Sequence, residues 1–466
     1  MDSPRNPSES HDSEPHDDRP EDEFQRLLRQ MLSGDGEGLA KATGLPVDPA
    51  AIASILASVQ HAATSDEIDW APARERAVQV ARAQEVALTD DDREHARRAF
   101  DIARLWLGEA TALETAAADR VMSRSEWASS SMPFWQTLCE PVAGSVARAL
   151  TDALQRNLPV ELQPMMTQAA GMMRAMATGV FVVQLGQVVG QLAGETVSAD
   201  EIGLPVVSGA PALLPQNVHA FSQGLEVPVE EIVIFLAARE LAHAALFRHA
   251  PWLTSDLTSA ITAYARGIEI DATRIETLGR GIDPADAEAL RRVIEGGELI
   301  PPRTQAQEAA LARIETLLAL VEGWVDTVTQ TAVQRLPHRA AIAETVIRRR
   351  ALGGPAEHAF GTLVGLEFRP RQLRLAAALW RTVTDELGAD ERDALWRHPD
   401  LLPTADDLAD PAAFVARARG DEETDFDRDL ARLLEGDLPA SPRAEGPDDP
   451  DDAGDDATGD AGSPRA

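Results

Sequence analysis

The spacing of apolar positions along the chain predicts a succession of helices. After Asp48-Pro49, residues Ile52, Ile55, Leu56 and Val59 recur every three to four positions, which places them on one helical face. Ala73 to Leu88 gives a second helix. Thr89-Asp90-Asp91-Asp92 then supplies an N-cap with acids at the positive end of a third, running through Ala99, Ile102, Leu105 and Trp106. A polar Ser129-Ser130-Ser131 stretch reads as a loop leading to Phe134-Trp135. Two long helices follow, Trp135 to Leu154 and Pro164 to Leu192, the second opening in a cluster of Met165, Met166, Met172, Met173 and Met176 that reads as gap-filling core.

Between Val197 and Val227 the pattern changes. Gly203, Pro205, Gly209, Pro211, Pro215 and Gly224 punctuate a long irregular connection, and such connections inside a folded body more often carry function than short ones do. Its apolar residues Val206, Val207, Leu213 and Leu214 need a surface to pack on, so the segment is expected to lie against the next helix. Pro228 is placed for the first turn of that helix, Val229 to His249, with Glu230 and Glu231 following. Further helices are expected over Ser255 to Gly267 and Gln305 to Leu336. Two more flank Gly353-Gly354-Pro355, the last carrying Leu373, Leu379 and Trp380. No repeat of 20 to 50 residues and no strong run of alternating strands is present. The fold class is mainly α with little β.

Composition sharpens this picture at the ends. The formal net charge is −34, of which residues 1–23 and 421–466 hold about −7 and −12 by count. Residues 1–38 and 421–466 are expected to be disordered acidic segments, although Phe24 to Leu32 could form a short amphipathic helix, and residues 39–420 the folded body. An acidic surface of this kind disfavours nucleic acid and anionic membrane. The run Arg348-Arg349-Arg350 is the best basic patch and reads as a solvated helix face. The apolar run Gly179 to Gly194 is too short to span a bilayer and is broken by Gln184, Gln187 and Gln191. Gly186, Gly190 and Gly194 on another face suit close helix packing. The single Cys139 fits a reducing compartment, and the first residues lack the order of a signal peptide, so a cytoplasmic protein is expected.

Candidate chemistry sits in the middle of the Val229 to His249 helix. Metallopeptidases of the His-Glu-x-x-His type use two imidazoles four residues apart to hold Zn²⁺, with the Glu as general base. The five residues here are Arg239, Glu240, Leu241, Ala242 and His243. At 3.6 residues per turn, Arg239 and His243 share a bearing and Glu240 flanks them. A guanidinium has no lone pair to give a metal, so Arg239 cannot replace the first ligand. On the later helix, Glu322 and Asp326 stand one turn apart on a partly apolar face. Two carboxylates there imply a counter-charge, unless they are an exposed acid pair on a solvated face. Gly323 beside them would let another helix approach closely.

These segments resemble a known family, the bacterial zincin-like proteins called zinc-dependent metalloproteases, which are related to hydrolases associated with deazaflavin coenzyme biosynthesis. The resemblance runs from about Gly44 to Val415 and rests on EIGLPVV (201–207), LLPQNV (213–218), RELAHAALFRHAPWL (239–253), YARGIEID (264–271), LALVEGWVD (318–326), GGPAEHAFGTLVGLEFRPR (353–371) and HPDLLPT (398–404). It implies a zincin-like helical body with a degenerate active-site helix. Glu240 then takes the general-base position, His243 a zinc-ligand position and Glu322 the third. Arg239 stands where the first His belongs, and His219, His249, Glu269 and Asp271 are the residues that could supply a substitute ligand. Two functions follow as expectations. One is a metal-dependent hydrolase acting on a peptide. The other is a catalytically inactive binding or scaffold protein in which Arg239 is the cation in place of zinc, pairing with Glu240, Glu322 or Asp326.

Overall fold

The computed structural model describes residues 68–116, 118–156, 163–267, 303–351 and 371–420, together with 354 and 361. The terminal segments, the helix expected after Asp48-Pro49, and residues Glu269 and Asp271 lie outside the described residues. Twelve α-helices are present among those described, with a single pair of two-residue strands. No described helix is long and apolar enough to cross a membrane.

Helix α1 (Ala71–Arg82) and α2 (Asp90–Leu107) come first. Thr89 caps α2 as its sequence demands: its hydroxyl accepts from the Asp92 amide while the Asp92 carboxylate accepts from the Thr89 amide at 2.9 Å. Strand β1 (Arg120–Val121) precedes α3 (Arg124–Arg156), and α4 spans Gln163–Ala193. The side chains of the methionine cluster in α4 lie outside the described residues.

Helix α3 corrects the sequence reading, because Ser129, Ser130 and Ser131 are helical rather than a loop. Two causes outweigh the poor helix preference of three serines. Ser123 and Glu126 form a capping box at the start of α3, with the Ser123 amide 2.7 Å from the Glu126 carboxylate. Trp127, Ala128, Met132 and Trp135 then form a buried face across the serines, and each large side chain so buried contributes about 1.5–3 kcal/mol.

The glycine face of α4 does what its spacing suggests. A Cβ on Gly186 would stand 2.4 Å from the Ala73 carbonyl oxygen, and one on Gly190 would stand 2.5 Å from the Val80 Cβ. Helix α1 therefore lies directly on these two glycines, with little room for any larger residue. Gly194 meets only the Gln191 carbonyl of its own helix.

Strand β2 (Ala212–Leu213) runs parallel to β1 with Arg120 opposite Ala212, and α5 (Pro215–Ser222) follows. Helix α6 (Val229–His249) takes Pro228 as its N-cap residue, one place earlier than expected. From Phe235 to His243 every residue is buried, as befits a helix that is apolar on most sides. It packs on α2 and on α7 (Pro251–Arg266), α8 (Gln305–Ala332) and α9 (Arg339–Ala351). Helix α10 (Arg371–Leu387) lies along α8. Gly323 makes that approach possible, since a Cβ there would be 2.7 Å from Ala376 and Ala377 backbone atoms.

After α11 (Ala389–Ala394) the chain contributes Trp396, whose ring stacks on Trp380 at 5.5 Å and meets Trp324 edge-on at 6.4 Å. Beneath this group Asp393 accepts from Thr111 Oγ1 at 2.5 Å, the Ala112 amide at 2.9 Å, Trp324 Nε1 at 2.9 Å and Arg392 Nε at 2.7 Å. The wholly buried Arg392 donates onward to the Ala110 carbonyl at 2.9 Å. Helix α12 (Pro411–Arg419) ends the described chain.

Candidate functional site

Three helices bring charged side chains to one buried point. Helix α6 supplies Arg239 and His243, α8 supplies Glu322, and α9 supplies Arg350. Both guanidinium groups pair with the Glu322 carboxylate: Arg239 through Nη2 to Oε2, and Arg350 to both oxygens, at 2.7 Å to Oε1. His243 Nε2 lies 3.0 Å from Oε1. Burial alone would raise the Glu322 pKa, but Arg350, Arg239 and His243 together hold it well below the ordinary carboxylate range. Burial lowers the His243 pKa and favours the neutral ring, with the Glu322 carboxylate pulling the other way. An ionised carboxylate only accepts, hence Nε2 carries the proton it donates to Glu322. The His243 lone pair is therefore on Nδ1, which is buried and has no hydrogen-bond partner.

The counter-charge implied by Glu322 and Asp326 is thus a pair of arginines. Asp326 acts on Arg239 at longer range and lines the adjoining cavity. Arg350 corrects the sequence reading, in which the triple-arginine run was a solvated face. Only Arg348 fits that description, with a loose 3.8 Å contact to Glu344. Arg349 pairs with Glu201 at 3.1 Å, and Arg350 also donates to the Glu201 carbonyl at 2.7 Å. A carboxylate as deeply buried as Glu322 draws in cations that local sequence cannot assign to it.

Glu240 takes a different direction. Its oxygens accept from the backbone amides of Asp200 at 3.1 Å and Ala212 at 2.9 Å. Burial pushes its pKa up to about 7, against the pull of these amides and the Ser198 hydroxyl. Asp200 is raised well above its ordinary value by burial and by the Glu240 charge. The two acids form a buried pair, and Asp200 Oδ1 has no hydrogen-bond partner. Asp200 escaped the sequence reading because it lies in an irregular segment with no periodicity to mark it.

That segment packs where its apolar residues required. Val206, Val207, Leu213 and Leu214 are buried, its amides bind Glu240, and Gly203 adopts φ +76° directly against Glu322. Of the other candidate ligands, the described His219 and His249 do not join. His219 is on α5, its Nε2 3.1 Å from Gln223 Nε2, and His249 is exposed at the end of α6. A cavity of about 430 Å³ lies against α2, α5 and the first turns of α6, and none of the residues around Glu322 lines it.

These donors do not fit catalytic Zn²⁺. Such a site needs three protein ligands with lone pairs turned to one point. Here only His243 and Glu322 among the described residues offer lone pairs, and Glu322 is held by two guanidinium groups. No group of three or more His, Cys, Asp or Glu able to hold a metal occurs among the described residues.

Residues 68–415 match the zincin-like metallopeptidase family, and the chain belongs to it. The described helical body is similar to the crystal structure of a "putative hydrolase with a novel fold" from Chloroflexus aurantiacus. The TM-score is 0.50 at 18% identity, with 76% of this chain and 99% of that one covered. No curated protein matches the sequence.

Proposed function

We propose that this chain is a member of the metallopeptidase family whose metal has been replaced by a guanidinium pair, leaving a catalytically silent body that binds rather than cleaves. The observation that supports this reading is the shared hold of Arg239 and Arg350 on Glu322. A fixed positive charge about 4 Å from a dication costs roughly 4 kcal/mol or more at an effective dielectric near 20, and two such charges stand at this point. Glu240, the general base in the family pattern, is engaged with backbone amides rather than with this cluster.

Elemental analysis of protein purified without chelator tests the reading. Less than a tenth of an equivalent of zinc is expected, and the double variant Arg239→His with Arg350→Gln should gain zinc. One equivalent of zinc in the unaltered protein, lost on His243→Ala, would overturn it. A second reading, a metal-dependent hydrolase acting on peptides, is favoured by family membership and by a Glu240 pKa of about 7, suited to general-base work near neutral pH. It requires zinc-dependent peptide cleavage that disappears in Glu240→Gln.

A further inference from the structure

We propose that the cavity beside Arg239 binds a carboxylate carried on a short aliphatic group, with Arg239 and Arg374 as its cationic partners. The inference deepens the reading of a metal-free binding site and rests on it.

The cavity measures about 160 Å³ and is framed by α6, α8, α9 and α10. Drug-sized ligands occupy pockets of roughly 300–1,000 Å³, so this one admits a group about the size of one amino-acid residue. Arg239 supplies the first observation. Its side chain is only 9% exposed, yet it donates from Nη2 alone, to Glu322, while Nε and Nη1 have no hydrogen-bond partner among the described residues. A guanidinium has five N–H donors, so those on Nε and Nη1 remain open to the cavity. A ligand oxygen in the cavity would accept from them.

The wall charge supplies the second. Among the described residues of the wall, Arg239, Arg350 and Arg374 stand with Glu322 and Asp326, one positive charge in excess. Arg374 is exposed and makes no hydrogen bond or ion pair with a described residue. One excess charge suits a monoanion. A phosphate group carries about −1.5 to −2 near neutral pH and would leave charge unmatched beside Asp326. The remaining wall, Val346, Ile347, Leu373 and Ala377, is aliphatic and suits a branched hydrocarbon group next to the carboxylate.

Titration calorimetry on the full chain decides the matter, using N-acetylvaline, N-acetylvalinamide, isobutyrate and inorganic phosphate as probes. N-acetylvaline should bind at least tenfold more tightly than its amide. Arg374→Ala should weaken it about tenfold, and Arg374→Lys should recover part of the loss. Arg239→Gln should abolish binding, and the exposed Arg374 variants keep the test usable if that protein does not fold. Isobutyrate matching N-acetylvaline identifies free short acids as the ligand, whereas weaker isobutyrate binding identifies a peptide C-terminus. Both results uphold the proposal. Equal binding of acid and amide, no binding of either acid, or tighter binding of phosphate overturns it. Zinc measured in the same preparation separates the two readings: metal-free protein that ignores N-acetylvaline refutes the carboxylate site alone, and protein carrying one equivalent refutes the metal-free site itself.

Discussion

Gly203 rests on the carboxylate of Glu322: a Cβ at this glycine would stand 2.8 Å from Oε1, and its φ of +76° already excludes most side chains. The irregular connection therefore closes one side of the ion cluster with bare backbone. Gly203→Ala should cost about 3 kcal/mol, combining backbone strain of about 1 kcal/mol with displacement of a carboxylate held by two arginines. Gly224 has φ +78° and open space around it, so Gly224→Ala isolates the strain. Equal losses in urea unfolding would show that Gly203 does not touch the cluster.

Glu322→Gln removes the one negative charge that Arg239 and Arg350 share. With side-chain exposures of 9% and 17% for the two arginines, stability should fall by about 3–5 kcal/mol. Asp326→Asn, which breaks no direct ion pair, should stay within about 1 kcal/mol of the unaltered protein. Similar effects for the two variants would remove Glu322 from the centre of the cluster.

The acid pair and the ion cluster respond oppositely to pH. Glu240 is raised from 4.5 to about 7, so between those values the folded state holds a proton that the unfolded state has released. Stability then falls as pH rises through that window, by about 3 kcal/mol for this group, and Asp200 acts in the same direction. Glu322 is depressed; its contribution is full above 4.5 and fades as pH drops below that value. Denaturant midpoints measured from pH 4.5 to 8 should decline, and Glu240→Gln should flatten the slope. A rising profile over this range refutes the assignment.

Much of this arrangement was legible in the sequence, and the limits are physical. Arg239 and His243 could be placed together because helical periodicity fixes bearings along α6, while the family resemblance implied that Glu322 joins them, and paired acids there implied a partner. The close approaches at Gly186, Gly190 and Gly323 followed from small residues on packing faces. Arg350 could not be assigned, because which of three consecutive arginines turns inward depends on how α9 docks on α6, not on local pattern. The Glu240 carboxylate was also expected in the cluster, but backbone amides from a segment without periodicity hold it elsewhere. At Ser129 to Ser131, polarity suggested a loop where buried neighbours one turn away impose a helix.

The Asp393 hub offers a test of how the body is tied together. Four donors from α11, α8 and the turn after α2 converge on its carboxylate. Asp393→Ala should cost about 3–5 kcal/mol by leaving Arg392 buried without its anion. Amide exchange should accelerate together in α8 and α11, whereas acceleration confined to α11 would mean that the hub supports only its own turn.

On the metal-free reading proposed above, the double hold on Glu322 also sets an order of events for any lineage that would gain a metal. Changing Arg239 to His restores a donor while Arg350 still occupies the carboxylate, and releasing Arg350 first leaves Arg239 where the ion would sit. Neither single step yields a working centre, so the path crosses an intermediate with no catalytic advantage for selection to favour. A search among zincin-like sequences for the same paired arrangement therefore gains from looking beyond the altered five-residue motif, to a second arginine on the helix that follows the glutamate.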